Sequence, residues 1–240
     1  MFEERKYRRW FKGANLVFFD VCVLETDLMI GANANIYGQA LESVEKYRRQ
    51  LEGYIRENPS FLTSLVPVPA RTGAPEIAAR MCEASAKVGV GPMAAVAGAL
   101  SELVGIDLLE LSGEVIVENG GDIFVKTDVP RKIGVYAGKS PLNERIAIEI
   151  QPRDTPMGVC TSSGTVGHSL SFGGADAAVV LSKDAFLADA AATALGNIVK
   201  SAEDIEKALD WASGISGISG AIVIAGERLG VWGNIKLVSF

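Results

Sequence analysis

The 240-residue chain has a single histidine, His168, so a metal centre built on several imidazoles cannot form. Its three cysteines, Cys22, Cys82 and Cys160, are odd in number, far apart and without a CxxC pair. That disfavours a disulfide framework and a thiolate zinc site, and fits a reducing compartment. Positive charge is also short: 23 Lys and Arg against 29 Asp and Glu leave a net charge of −6, removing the attraction behind most non-specific nucleic-acid affinity. The local exception, Arg5, Lys6, Arg8, Arg9 and Lys12, sits beside Glu3 and Glu4 and reads as a solvated strand face, with a phosphate-facing patch as the alternative. No apolar signal-like region stands near Met1. The longest apolar stretch, 88–100, is interrupted by Gly89, Gly91, Pro92 and Gly98 and falls short of the ~20 residues of a membrane span. A cytoplasmic protein is expected, with neither nucleic acid nor membrane as partner.

What is present is enough apolar material for a packed core, 48% hydrophobic against 22% charged. Glycine, at 26 residues, exceeds the usual ~7% and predicts tight turns or close backbone approaches. Aromatic and β-branched residues in 5–12 and 15–30, around the turn Lys12-Gly13-Ala14-Asn15, predict a β-hairpin. Ile36, Ala40, Val44, Tyr47, Leu51, Tyr54 and Ile55 recur at three and four and predict a helix over 35–58, closed by Pro59. A strand over 61–68, a helix over 75–87, a break at 89–92 and a small-residue helix over 93–104 follow. Period-two segments predict strands over 114–118, 122–126, 132–137, 145–150, 158–161 and 177–181. Helices return over 184–199 and 201–212, the latter opened by a capping box from Ser201 to Asp204, and 221–225 with 231–240 form a closing hairpin. The order predicts an α+β fold, antiparallel sheets with packed helices, in one domain over 1–240. A hairpin–helices–hairpin pattern divides it near 1–112 and 113–240.

Five fragments invite chemistry, and each also has a plain reading. Gly91 and its neighbours open a helix, where unpaired N–H groups can hold a phosphate or where glycine simply permits close packing. No strand precedes it, which excludes a Rossmann loop. Glu118-Asn119-Gly120-Gly121-Asp122 reads as a hairpin turn, with acids bracketing the glycines that the turn does not require. Thr161, Ser162, Ser163 and Gly164 can donate hydrogen bonds to phosphate or form a solvated loop, and Cys160 beside them reads as a buried, inert thiol. His168 is a general acid or base or a structural imidazole. Gly167-His168-Ser169-Leu170-Ser171 is not a serine-nucleophile elbow, because the last glycine is missing and no histidine lies downstream. Asp189 and Thr193, four apart among alanines, share a helix face and can offer two oxygens to a hard cation, against the default of an exposed aspartate.

In this order the fragments resemble the ApbE-like superfamily of magnesium-dependent FAD:protein FMN transferases. Gly91-Pro92-Met93-Ala94-Ala95 is similar to the family's GGIAKG segment, Val117 to Ile123 to VNLGGDI, and Thr161-Ser162-Ser163-Gly164 to its TSG. His168 resembles the downstream histidine, and 188–195 the helix ADALATAL. The resemblance spans about 89–195 and implies a T-fold-like duplicated architecture. It implies Mg²⁺ held by Asp189, Thr193 and the Ala94 carbonyl against the FAD pyrophosphate, with phosphate gripped by Thr161, Ser162, Ser163 and Gly164. It also implies that Gly91, Asn119, Gly120, Gly121 and Asp122 meet the dinucleotide and that His168 acts as acid or base. FMN transfer to a protein acceptor or cleavage of the FAD pyrophosphate is the implied activity. A non-catalytic ligand-binding accessory protein in cofactor or sulfur metabolism is the alternative, and a homodimer is compatible with either. Two departures bear on activity: Ala95 stands where the family has lysine, and the family's HIxDPxTG segment is shortened after His168.

Overall fold

A computed structural model describes residue 8, residues 15–164 and residues 173–240 of the chain. Eight strands form one antiparallel sheet: β1 (Val17–Val23), β2 (Thr26–Ala32), β3 (Val115–Asn119), β4 (Asp122–Lys126), β7 (Met157–Ser162), β8 (Ala177–Ser182), β9 (Ile218–Ala225) and β10 (Arg228–Gly233), in that spatial order. Between β4 and β7 the chain leaves to make β5 (Arg131–Gly134) and β6 (Ile146–Ile150), which join β11 (Leu237–Ser239) in a small second sheet. Strand pair, helices, strand pair thus occurs twice, as the α+β reading with antiparallel sheets requires.

Alternation along the strands explains the layering. One face of the main sheet carries Val21, Leu28, Ile30, Val115 and Val117 beneath the helices α1 (Tyr37–Glu57), α3 (Glu76–Val88) and α4 (Val96–Leu109). Further along the same face, Cys160, Val180, Ala221 and Val223 lie beneath α5 (Ala185–Ile198) and α6 (Ile205–Ser213). On the opposite face Ile123, Val125, Val159, Val179, Ile222 and Ile224 pack against Val135, Ile148 and Ile150, next to or within the small sheet. The α1 stripe Ala40, Val44, Tyr47, Leu51 and Tyr54 is buried as its spacing predicts. Gly89 ends α3 in the left-handed region at φ 77°, the usual helix stop. The Ser201–Asp204 capping box is present.

Several boundaries differ from the sequence reading. The first hairpin turns at Leu24 and Glu25, within the segment 15–30, where Leu24 adopts φ 53°. No glycine or asparagine marks that turn, so alternation alone ran through it. The first strand predicted there, 5–12, lies outside the described residues except for Arg8. Residues 61–68 hold no strand: Pro59 begins the short helix α2 (Pro59–Thr63), and Phe61 is buried under it in an edge-on contact with Tyr54. The helix predicted over 93–104 is a 3₁₀ turn, Pro92–Ala95, followed by α4. The final segment 231–240 splits, β10 pairing with β9 and β11 with β6. Among the described residues, Pro92–Leu109 is long and apolar enough to cross a membrane, against the shorter estimate from 88–100, but most of it is buried inside the protein.

Candidate functional site

The two central helices meet at backbone distance. A Cβ on Gly98 would lie 2.3 Å from the Ala185 carbonyl oxygen, so only glycine lets α4 approach the start of α5 this closely. At that crossing each helix supplies a carboxylate to the other's unpaired N–H groups. Asp189 Oδ2 of α5 accepts from the Gly98 N–H in the first turn of α4 at 2.8 Å, and the Ala97 N–H also points to that carboxylate. Glu102 Oε2 of α4 accepts from the Ala185 N–H, the first residue of α5, at 2.6 Å. The helix start that could hold a phosphate already has an anionic partner from within the chain.

The two ends differ in charge. Arg80 forms an ion pair with Glu102 and places its guanidinium 3.9 Å above the Phe186 ring. Burial raises the Glu102 carboxyl, opposed by the Ala185 N–H and by Arg80. Asp189 has no ion pair among the described residues, and burial pushes its carboxyl up to about 7 against the pull of the Gly98 and Ala97 N–H groups. The exposed-aspartate reading of the sequence is therefore replaced, since Asp189 is 8% exposed.

Asp122 lies against the same end. Gly120 and Gly121, at φ 67° and 104°, form the two-residue turn of the β3–β4 hairpin and pair Asn119 with Asp122 across it. The turn reading and the ligand reading thus describe the same residues. Asn119 Nδ2 donates to the Ala97 carbonyl at 3.3 Å, and Asp122 Oδ1 accepts from the Thr161 N–H at 3.2 Å. The Ser101 hydroxyl donates to the Asp122 carbonyl at 3.1 Å. Burial raises the Asp122 carboxyl well above the usual range, the Asp189 charge raises it further, and the Thr161 N–H and Cys160 thiol oppose this. Cys160 is buried with its thiol pushed far up by burial and by both aspartates, so it is not a thiolate nucleophile.

Asn119, Gly121, Asp122, Thr161 and Asp189 therefore belong to one hydrogen-bonded and electrostatic network, with the half-buried Ala94 in the 3₁₀ turn that packs against α5. Thr193 follows Asp189 by one turn of α5 and is half-buried. Ser162 and Ser163 end β7 or follow it, and the Gly164 N–H donates to the Ala175 carbonyl at 2.9 Å. At Gly91 a Cβ would lie 1.8 Å from the Ser64 carbonyl oxygen, so glycine permits close packing there. His168 lies outside the described residues. Gly98, Ser101 and Glu102 escaped the sequence reading as individual site residues; the small-residue run at 94–99 was the one available signal. The donor chemistry fits a hard cation, because two buried carboxylates converge without a basic partner among the described residues, although no cluster of three His, Cys, Asp or Glu forms there.

A family model described as AbpE bacteria matches residues 8–231, across every element of this network. The chain belongs to that family. A UPF0280 protein of Methanococcoides burtonii is 44% identical over 218 residues, covering 90% of this chain and 92% of that one. A UPF0280 protein of Methanocella arvoryzae is 41% identical over 218 residues, covering 90% and 88%. A variant of the flavin transferase ApbE from Vibrio cholerae has the same fold, with a TM-score of 0.61 over 91% of this chain and 97% of that one at 12% identity. The ApbE-like resemblance in the motifs and the AbpE family match agree, and the fold is that of ApbE.

Proposed function

We propose that this AbpE-family chain binds a flavin dinucleotide, FAD, through Mg²⁺, and cleaves its pyrophosphate with water or transfers FMN to a protein acceptor. The observation that carries the reading is the buried Asp122–Asp189 pair without an arginine or lysine partner among the described residues, beside the Gly120–Gly121 turn. Asp189, Thr193 and the Ala94 carbonyl would hold the cation, which when bound neutralises charge on the phosphoryl group being transferred. Asn119 and Asp122 orient the polar middle of the dinucleotide. Thr161, Ser162 and Ser163 donate to phosphate oxygens beside Gly164, whose lack of a side chain lets the ligand approach, and His168 takes the proton from the attacking hydroxyl. The reaction breaks one P–O bond of the pyrophosphate, forms one to the incoming oxygen, and releases AMP.

Binding without turnover is the second reading. Ala95 is fully buried where the family has lysine, so this position supplies no cation to the phosphates. In either reading the protein works in the cytoplasm. Calorimetric titration with FAD, with and without Mg²⁺, tests the binding, and chromatography of the mixture tests for FMN and AMP. Magnesium-dependent binding with AMP release supports the enzyme, binding alone supports the accessory protein, and no binding in either condition removes both.

A further inference from the structure

Arg8 is not part of a solvated basic face. Its side chain is 11% exposed, and its Nε donates to Glu118 Oε2 at 2.7 Å. Its Nη1 donates to Asp27 Oδ1 and its Nη2 to the Asp27 carbonyl, both at 2.7 Å, with Asp20 Oδ1 3.5 Å away. One guanidinium thus meets carboxylates from the neighbouring strands β1, β2 and β3. Glu118 is fully buried, and its second oxygen, Oε1, accepts from the Gly121 N–H at 2.8 Å. A single carboxylate therefore connects Arg8 to the glycine turn that carries Asn119 and Asp122.

We propose that Arg8 is a positioning residue for the Asn119–Asp122 turn, acting through Glu118. Its effect on ligand binding rests on the FAD reading above, whereas its effect on the turn does not. Arginine suits the task because its planar fork can serve the Glu118 carboxylate, the Asp27 carboxylate and the Asp27 backbone carbonyl at once. Paired with the guanidinium through Oε2, Glu118 is held so that Oε1 accepts from the Gly121 N–H at a backbone position, φ 104°, that few residues adopt. Gly121 is followed directly by Asp122, which is tied to Thr161 and Ser101. Without the guanidinium, the buried Glu118 loses the charge and the hydrogen bond that Arg8 supplies, and its Oε1 is less firmly placed to accept from the Gly121 N–H, so the turn is held less tightly.

Hydrogen exchange at residues 119–122, measured on the full chain without ligand, tests the link directly. Arg8→Gln is expected to speed exchange of the Gly121 amide by about tenfold or more with α1 unchanged, and Glu118→Gln to do the same. Combining the two should add little to either alone, since both break one chain of contacts. Arg8→Lys keeps a charge but not the fork and is expected to fall between. In Mg²⁺, Arg8→Gln is also expected to weaken FAD binding by about tenfold or more, with Arg8→Lys restoring part of it. Unchanged Gly121 exchange in Arg8→Gln overturns the proposal, as does exchange that rises equally across α1 and β9. If the unaltered protein fails to bind FAD, the function reading falls and the exchange result alone decides the role of Arg8.

Discussion

Glu102 and Asp189 hold equivalent places at the two ends of one helix crossing, each accepting N–H bonds at the start of the other's helix. Around Glu102 the charge is balanced within the chain, because Arg80 reaches it while stacking on Phe186. Around Asp189 no arginine or lysine among the described residues does this, and a second carboxylate, Asp122, interacts with it unfavourably. A carboxylate needed only as a cap would be best served by an arginine on both sides. Under the proposed function, the asymmetry separates a structural acid from one that would take its counter-charge from a bound cation.

The largest expected effect comes from erasing the unbalanced charge. Asp189→Asn keeps one oxygen to accept from the first turn of α4, so magnesium-dependent FAD affinity should fall below detection in titration calorimetry. The melting temperature should stay within about 4 °C, because a buried charge with no basic partner among the described residues is lost together with one hydrogen bond. A melting temperature that collapses would make Asp189 a structural cap like Glu102.

A third carboxylate, Glu114, marks the balanced extreme. Arg131 and the Thr127 hydroxyl donate to it at 2.9 and 2.6 Å, and the Asp128 N–H at 3.1 Å. Despite burial, these donors lower its carboxyl from 4.5 to about 2. A lowered folded pKa contributes stability that is fully present above the unfolded value and is lost as pH falls through the folded one. Denaturation from pH 6 down to pH 2 should lose about 3 kcal/mol from this group, and Glu114→Gln should flatten that part of the profile.

The smallest effect should follow from unbalancing Glu102. Arg80→Met retains much of the packing on Phe186 but removes the charge, and should cost about 2 kcal/mol in urea denaturation because Arg80 is partly exposed. FAD binding should be unchanged. A loss of binding equal to that of Asp189→Asn would show that the two ends act as one unit.

Much of this contrast was legible in the sequence on one side only. Asp189 was conspicuous as a lone charge among alanines, and Asn119 to Asp122 as a glycine pair between acids. Glu102 was not, because its partners Arg80 and Ala185 lie 22 and 83 residues away, and no local pattern encodes a cap delivered from another helix. The strands of the central sheet were legible because short apolar, β-branched segments bounded by turn residues stand out even where they are buried on both faces, such as Asp122–Lys126. The Leu24 turn and α2 were missed for the opposite reason: leucine carries no turn signal, and Phe61 with the apolar residues after it resembles a strand until Pro59 is recognised as a helix start.

The passage from β4 to β7 has a mechanical consequence. Strands β1 to β4 and β7 to β10 are each built from neighbouring antiparallel pairs, yet the two groups join through only three register pairs, Ile123 with Val159, Phe124 with Gly158 and Val125 with Met157. The network at the candidate site straddles that seam, with Asn119 and Asp122 on one bank and Thr161 and Asp189 on the other. Any ligand that engages both banks acts as a staple across the thinnest join in the sheet. At a hundred times its dissociation constant it would stabilise the folded chain by about 2.7 kcal/mol, and that gain would disappear if the chain were cut between the banks and the halves drifted apart.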